Sequence, residues 1–148
     1  MSIDSQYDAL LATLTGLTLV TPAVSSPVTV VREYVSAATA KERLGDLPLI
    51  GIVPDGIRFT ARAPNQPVAS LLIGHLYLYC LPASGEPAGQ TINALVDTIV
   101  GALTAAFKPW LPNAAAIWSP IGMADLVPVL PGSDFSVGIL PVQATLML

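Results

Sequence analysis

The chemistry open to this sequence rests on few residues: one histidine, one cysteine, ten acidic and six basic side chains in 148 positions. His75 is the only side chain whose ordinary pKa suits a general base near neutrality. It lies between Gly74 and Leu76, two residues before Tyr77. A base needs a nucleophile within reach and donors for the oxyanion. Nothing in the sequence places a serine beside His75, so a buried or interface histidine with a hydrogen-bond partner stands against a Ser–His–Asp site. Cys80 continues the same apolar run and reads as a small buried hydrophobe; as a nucleophile it would need a neighbouring base and exposure. Val96-Asp97-Thr98-Ile99 lacks the glycine of an Asp-Thr-Gly site and falls in a helical pattern. The G-x-S-x-G, G-x-x-x-x-G-K-[ST], G-x-G-x-x-G and H-E-x-x-H motifs are absent. One cysteine permits no internal disulfide or multi-cysteine zinc site, and one histidine no His-rich metal site. The sequence thus assigns no catalytic, cofactor-binding or metal-ligating residue, and the chain is expected not to be an enzyme. A small hydrolase or ligand-binding domain using His75 is the alternative of that class.

A different kind of site is suggested by charge. Lys41, Glu42, Arg43 and Asp46 put four of the sixteen charged residues within six positions. The segment from about 36 to 46 is either a solvated excursion or an arm touching a neighbouring subunit. Arg58 and Arg62, four apart on one strand face, are either solvated or paired with Glu42 or Asp46 of a neighbour. These six residues form the expected subunit interface. The Ala-rich start of the segment offers little to bury, so it is expected to matter to assembly more than to folding.

The rest of the chain must position these groups. It is 53% hydrophobic and 11% charged, with a mean hydropathy of +0.66; ordinary soluble domains carry about 25% charge. So few charges cover a monomer's surface poorly, and an oligomer or assembly component is expected. A net charge of −4 and a pI near 4.6 oppose non-specific nucleic-acid binding. Met1–Asp8 has no basic region and is not read as a secretory signal. The apolar runs 71–81 and 92–107 are shorter than the roughly 20 residues that span a bilayer. No membrane partner and a start in the cytoplasm are expected.

Ile3, Tyr7, Leu10, Leu11 and Leu14 make one stripe of a first helix, capped by Ser2 and stopped by Gly16. Residues 20–27 read as a loop. Val28–Val35 reads as a strand, and Ala37–Leu44 as a short helix capped by Ser36 and stopped by Gly45. Pro48–Val53 reads as a strand, Pro54-Asp55-Gly56 as a turn, and Ile57–Arg62 as a strand with one wet face. Ser70–Leu81 is apolar on both faces, which predicts a central strand covered by helices on one side and by a second chain on the other. The alternation in Gln90–Lys108 predicts a second helix, with Ile92, Leu95, Ile99 and Leu103 inward and Pro109 ending it. From Trp110 to Gly132 only a short strand near Ala116–Ser119 is expected. A last strand runs from Phe135 to Leu148, with Pro141 shifting its phase. The expectation is one domain over 1–148: a two-layer α+β fold, an antiparallel or mixed sheet with two main helices on one face, in the order α-β-β-β-β-α-β-β.

This layout, with Leu47-Pro48-Leu49-Ile50-Gly51-Ile52-Val53, the strand Leu71–Tyr79 and the helix Asn93–Leu103, resembles the tail-terminator (tail-completion) proteins of long-tailed bacteriophages. The resemblance is one of element order and hydrophobic pattern over most of the chain. Residues 36–46 and 110–131 have no clear counterpart in it. It implies a structural virion protein: a homohexameric ring on the head-proximal end of the tail, made in the host cytoplasm. Its partners would be the tail-tube protein and the head–tail connector or neck protein. Another ring-forming virion component, a neck or tail-tube protein, is the nearest alternative.

Overall fold

The computed structural model describes residues 2–60, 69–106 and 118–147. In chain order the elements are α1 (Ile3–Leu14), β1 (Thr18–Val20), β2 (Ser25–Pro27), β3 (Thr29–Val31), α2 (Ala37–Glu42), a 3-10 turn (Leu44–Asp46), β4 (Leu49–Thr60), β5 (Ala69–Cys80), α3 (Gln90–Ala106), β6 (Trp118–Pro120), β7 (Asp125–Val127) and β8 (Ser136–Met147). The last three stretches of the expected order thus contain one more strand than the sequence suggested, and β1–β2 adds a separate hairpin.

The frame is a mixed sheet ordered β3-β4-β5-β8-β6, with β7 also on β8. β4, β5 and β8 are antiparallel; β3 runs parallel to β4, pairing Thr29–Val31 with Leu49–Gly51. One face carries α1 and α3. Tyr7, Leu10 and Leu14 of α1 and Ile92, Leu95, Ile99 and Leu103 of α3 pack on Ile50, Ile52, Leu72, Leu76, Leu78, Leu140, Val142 and Ala144. This is the expected α+β arrangement. Both helices form for the reasons their sequences give. The Ser2 hydroxyl accepts the Ser5 N–H at 3.1 Å, and Gly16, at φ +87°, lets the chain leave α1. On α3, Asn93, Asp97, Gly101 and Thr104 are the exposed stripe.

Several local expectations are corrected. Residues 20–27 are not an open loop: Thr18↔Pro27 to Val20↔Ser25 pair as a hairpin, whose turn is closed by the Thr21 hydroxyl accepting from Val24 N–H at 3.0 Å. The strand expected over 28–35 stops at Val31. Arg32 is held by Asp4 and Asp8 of α1, and Glu33–Val35 crosses Gly51 so closely that a Cβ there would sit 2.7 Å from the Glu33 carbonyl oxygen. Pro54-Asp55-Gly56 is not a turn. It is a bulge in one continuous strand, with Pro54 opposite Gly74 and Gly56 opposite Ile73. A twelve-residue β5 offers a partner on both sides of the bulge, and an edge strand with a bulge tolerates proline's missing N–H. Pro141 does not shift the phase of β8, which pairs residue for residue with β5 from Ser136 to Met147. The Pro141 carbonyl points toward Ile121 N–H at 3.0 Å, so its missing N–H falls on the same edge, in the gap between β6 and β7. β7 itself was not foreseen in the proline-rich stretch. The helix expected over 37–44 ends at Glu42 and continues as the 3-10 turn.

The larger correction concerns the second face of the sheet. Ala40 of α2 is fully buried against Leu49, Tyr79 and Phe135, with Ala37, Tyr77, Leu130 and Val137 around it. Leu49, Tyr79 and Val137 lie opposite one another, with Tyr77 beside them, on the face away from α1 and α3. The Ala-rich start of the charged segment therefore belongs to a second core. Small side chains let a short helix lie close on the sheet, so alanine here marks a tight contact and not an idle surface. The Tyr79 hydroxyl donates to the Val35 carbonyl across this layer at 2.5 Å.

Candidate functional site

Among the described residues, α2 and the stretch before β8 cover only one end of the second face. Further along, Val53, Leu71, Ile73, His75, Tyr77, Ile139 and Pro141 share that face by register, and all are only partly buried. Tyr34, 61% exposed, stands edge-on over Tyr77 at 5.1 Å and marks where the covering chain stops. The sequence placed apolar residues on both faces of β5, and the structure gives each face a different fate.

His75 sits in this uncovered half, opposite Val53 and Pro141. Its ring meets Tyr77 edge-on at 6.3 Å, and Nδ1 is 3.7 Å from Oδ1 of Asp55, beyond hydrogen-bond distance. The bulge in β4 is what turns Asp55 toward it. Among the described residues no hydroxyl or thiol is hydrogen-bonded to His75. Cys80 is buried in the helix-side core, and burial pushes its thiol up to about 12, so it stays protonated and unreactive at neutral pH. Among the described residues no group of three His, Cys, Asp or Glu side chains could hold a metal ion, and no helix is long and apolar enough to cross a membrane.

The charged candidates separate. Lys41 and Glu42 are exposed. Arg43 bonds Glu33 at 3.1 Å and Asp46 at 2.9 Å in its own chain, and those carboxylates raise its pKa, Asp46 foremost. Arg58 is exposed on the second face, in register with Leu71, and ion-pairs with none of the described residues. Arg62, Phe107, Lys108, Trp110 and the loop 63–67 lie outside the described residues. Within one chain, then, Asp46 already has Arg43 as its partner, while Glu42 and Arg58 remain open to solvent.

One feature escaped the sequence reading. Where β3 ends and β4 runs on alone, a groove of about 550 Å³ opens, lined by Ile3, Tyr7, Arg32, Pro54, Asp55 and Ile57. Its floor is ordered. Arg32 bonds Asp4 at 2.9 Å and Asp8 at 2.7 Å, lies over the Tyr7 ring at 5.7 Å, and has its pKa raised by those hydrogen bonds. The Tyr7 hydroxyl donates to the Ile73 carbonyl at 2.9 Å. Asp4 and Asp8, one turn apart on α1, were the available signal, since i and i+4 carboxylates share a helix face and can grip one guanidinium. Beside the groove, Ile57 and Phe59 are 39% and 59% exposed, although the alternation places the wet face on Arg58, Thr60 and Arg62. The helical layer ends short of them.

Compared with protein-family models and with curated proteins, the chain matches none.

Proposed function

We propose that the protein is a structural subunit of a long-tailed bacteriophage virion, the tail terminator. In this reading it forms a homohexameric ring that caps the head-proximal end of the tail tube. It would join the tail-tube protein to the head–tail connector or neck protein, after synthesis in the host cytoplasm. It would perform no catalysis, and it would bind no cofactor, membrane or specific nucleic acid. The observation that supports this most directly is the half of the second sheet face that the described residues leave uncovered. Val53, Leu71, Ile73, Tyr77 and Ile139 line it, in a chain with only 11% charged residues to keep its surface wet. An apolar sheet face of this kind is a surface for another protein chain. The resemblance in element order supplies the specific place in the tail and the number six.

Native mass spectrometry and negative-stain microscopy of the purified full chain test the reading. Closed six-membered rings that do not stack are expected. Rings that stack into tubes would assign the chain to the tail tube instead. A species of 15.3 kDa alone, from micromolar to millimolar protein, would overturn the ring. For the non-catalytic part, a turnover activity of the parent that is lost in His75→Gln while assembly stays intact would favour the hydrolase.

A further inference from the structure

β4 is paired on both edges only over Leu49–Gly51, where β3 lies beside it. From Ile52 to Thr60 its outer edge pairs with no strand among the described residues, so backbone N–H and C=O groups face outward there. Such an edge is a template for a further strand. We infer that this edge pairs antiparallel with the same edge of a second copy, about a two-fold axis through Ile57.

The register follows from face and charge. A two-fold axis perpendicular to the sheet keeps each residue on its own face, so only residues of like face can stand opposite. Ile57 and Phe59 share the helix side, in register with Leu72 and Ser70, while Gly56 and Arg58 share the second face, in register with Ile73 and Leu71. Centring the axis on Arg58 would set the two arginines directly opposite each other, which is destabilising. Centring it on Ile57 sets each Arg58 opposite Gly56 of the second copy, which has no side chain to obstruct it, with Asp55 of the second copy beside it. Two Arg58–Asp55 attractions result, one on each side of the axis. On the helix side the two Ile57 side chains meet. Each exposed Phe59 then falls beside Pro54 of the second copy, over the groove lined by Ile3, Tyr7, Pro54 and Ile57. A projecting aromatic ring and an open apolar groove thus stand where the same register that pairs the charges would bring them together. Pro54 has no N–H to donate and the bulge at Asp55 bends the strand, so pairing is confined to residues 56–58 and closes as a pair without growing into a larger sheet. This contact is two-fold, and a ring closes through head-to-tail contacts, so the inference stands apart from the ring reading.

Variants of the full chain test it by sedimentation velocity, with far-UV circular dichroism to verify the fold. Arg58→Asp and Asp55→Arg should each weaken the two-fold association by about tenfold or more, because each turns two attractions into repulsions. The double variant should recover most of it. Ile57→Cys should give a disulfide-linked pair on mild oxidation, since Cα atoms opposite each other in an antiparallel pair are about 4.5–5.5 Å apart, within disulfide reach. Cys80 is buried and does not compete, and Val20→Cys, at a 64% exposed position on β1, reports random collision. The inference is overturned if the single variants associate like the parent, if the double variant is no better than the worse single, or if Ile57→Cys links no faster than Val20→Cys. A ring of unchanged mass in all variants, without the cross-link, would remove this contact and leave the ring. A cross-linked pair without any ring would do the reverse.

Discussion

At the residue scale, the groups that look reactive are mostly occupied by the fold. Cys80 and Tyr79 are the clearest cases: burial raises both to about 12. Each folded-state pKa lies above the unfolded value, about 8.5 for Cys and 10 for Tyr. The neutral forms are therefore favoured in the native state. Their contribution is fully present below the unfolded values and is lost as pH rises toward 12, where the unfolded chain has released protons that the native chain still holds. Thermal melts from pH 7 to 11 should show stability falling above about pH 9, and Cys80→Ala should flatten the fall. The glycines give a second residue-scale contrast. At Gly51 an added Cβ would meet the Glu33 backbone carbonyl at 2.7 Å, whereas at Gly138 it would meet the end of the Leu126 side chain at 2.8 Å. Backbone cannot yield as a side chain can. Gly51→Ala should destabilise by roughly 1–3 kcal/mol and Gly138→Ala by clearly less, as read by chemical denaturation.

At the scale of elements, each helix is held by the layer it completes. Leu95 and Leu103 of α3 are buried in the helix-side core. Leu95→Ala or Leu103→Ala should cost about 2–5 kcal/mol, and a change within the error of a denaturation curve would mean that α3 is not core. α2 is judged by the other face. Ala40 is fully buried on Leu49, Tyr79 and Phe135, so Ala40→Leu should destabilise by about 1–3 kcal/mol through overpacking. Lys41→Ser, at an exposed position, should stay within about 0.5 kcal/mol of the parent. If the two changes are equivalent, α2 is a solvated excursion after all. The ion pairs of Arg43 join exposed partners and weigh little in this comparison.

For the whole molecule, the decisive property is that one sheet serves two unequal cores. Among the described residues, the face under α1 and α3 is closed, while the other is closed only beneath α2 and the stretch leading into β8. An assembly built on the open half should resist salt, because apolar contacts are not screened and are strengthened by salts excluded from protein surfaces. A contact resting on Lys41, Glu42, Arg58 and their neighbours should weaken in 0.5 M salt, where the screening length is about 4 Å. Measuring oligomeric mass at 0.05 and 0.5 M salt separates the two: loss at high salt would place the interface on the charged residues, and retention would place it on the sheet face.

Periodicity alone determined both long helices, the central strand β5 and the α+β class. Ile3 to Leu14 and Ile92 to Leu103 repeat at the helical spacing, and side chains that must bury themselves along one element leave that mark without help from any partner. Tertiary pairing decided what local signals misread. Pro54-Asp55-Gly56 has turn chemistry, yet β5 pairs across it and makes it a bulge. Pro141 has the chemistry of a strand breaker, yet its absent N–H falls between β6 and β7, where no strand asks for it. Ala37–Ala40 looked like an idle surface until Leu49, Tyr79 and Phe135, distant in sequence, were found beneath it. The groove around Arg32 and the free edge of β4 arise where β3 stops. That stopping point is set by Arg32 meeting α1 and by Glu33 crossing Gly51, contacts between residues far apart in the chain. A local pattern records what one element needs to bury; which element answers that need depends on long-range pairing, and the sequence does not carry it in any single window.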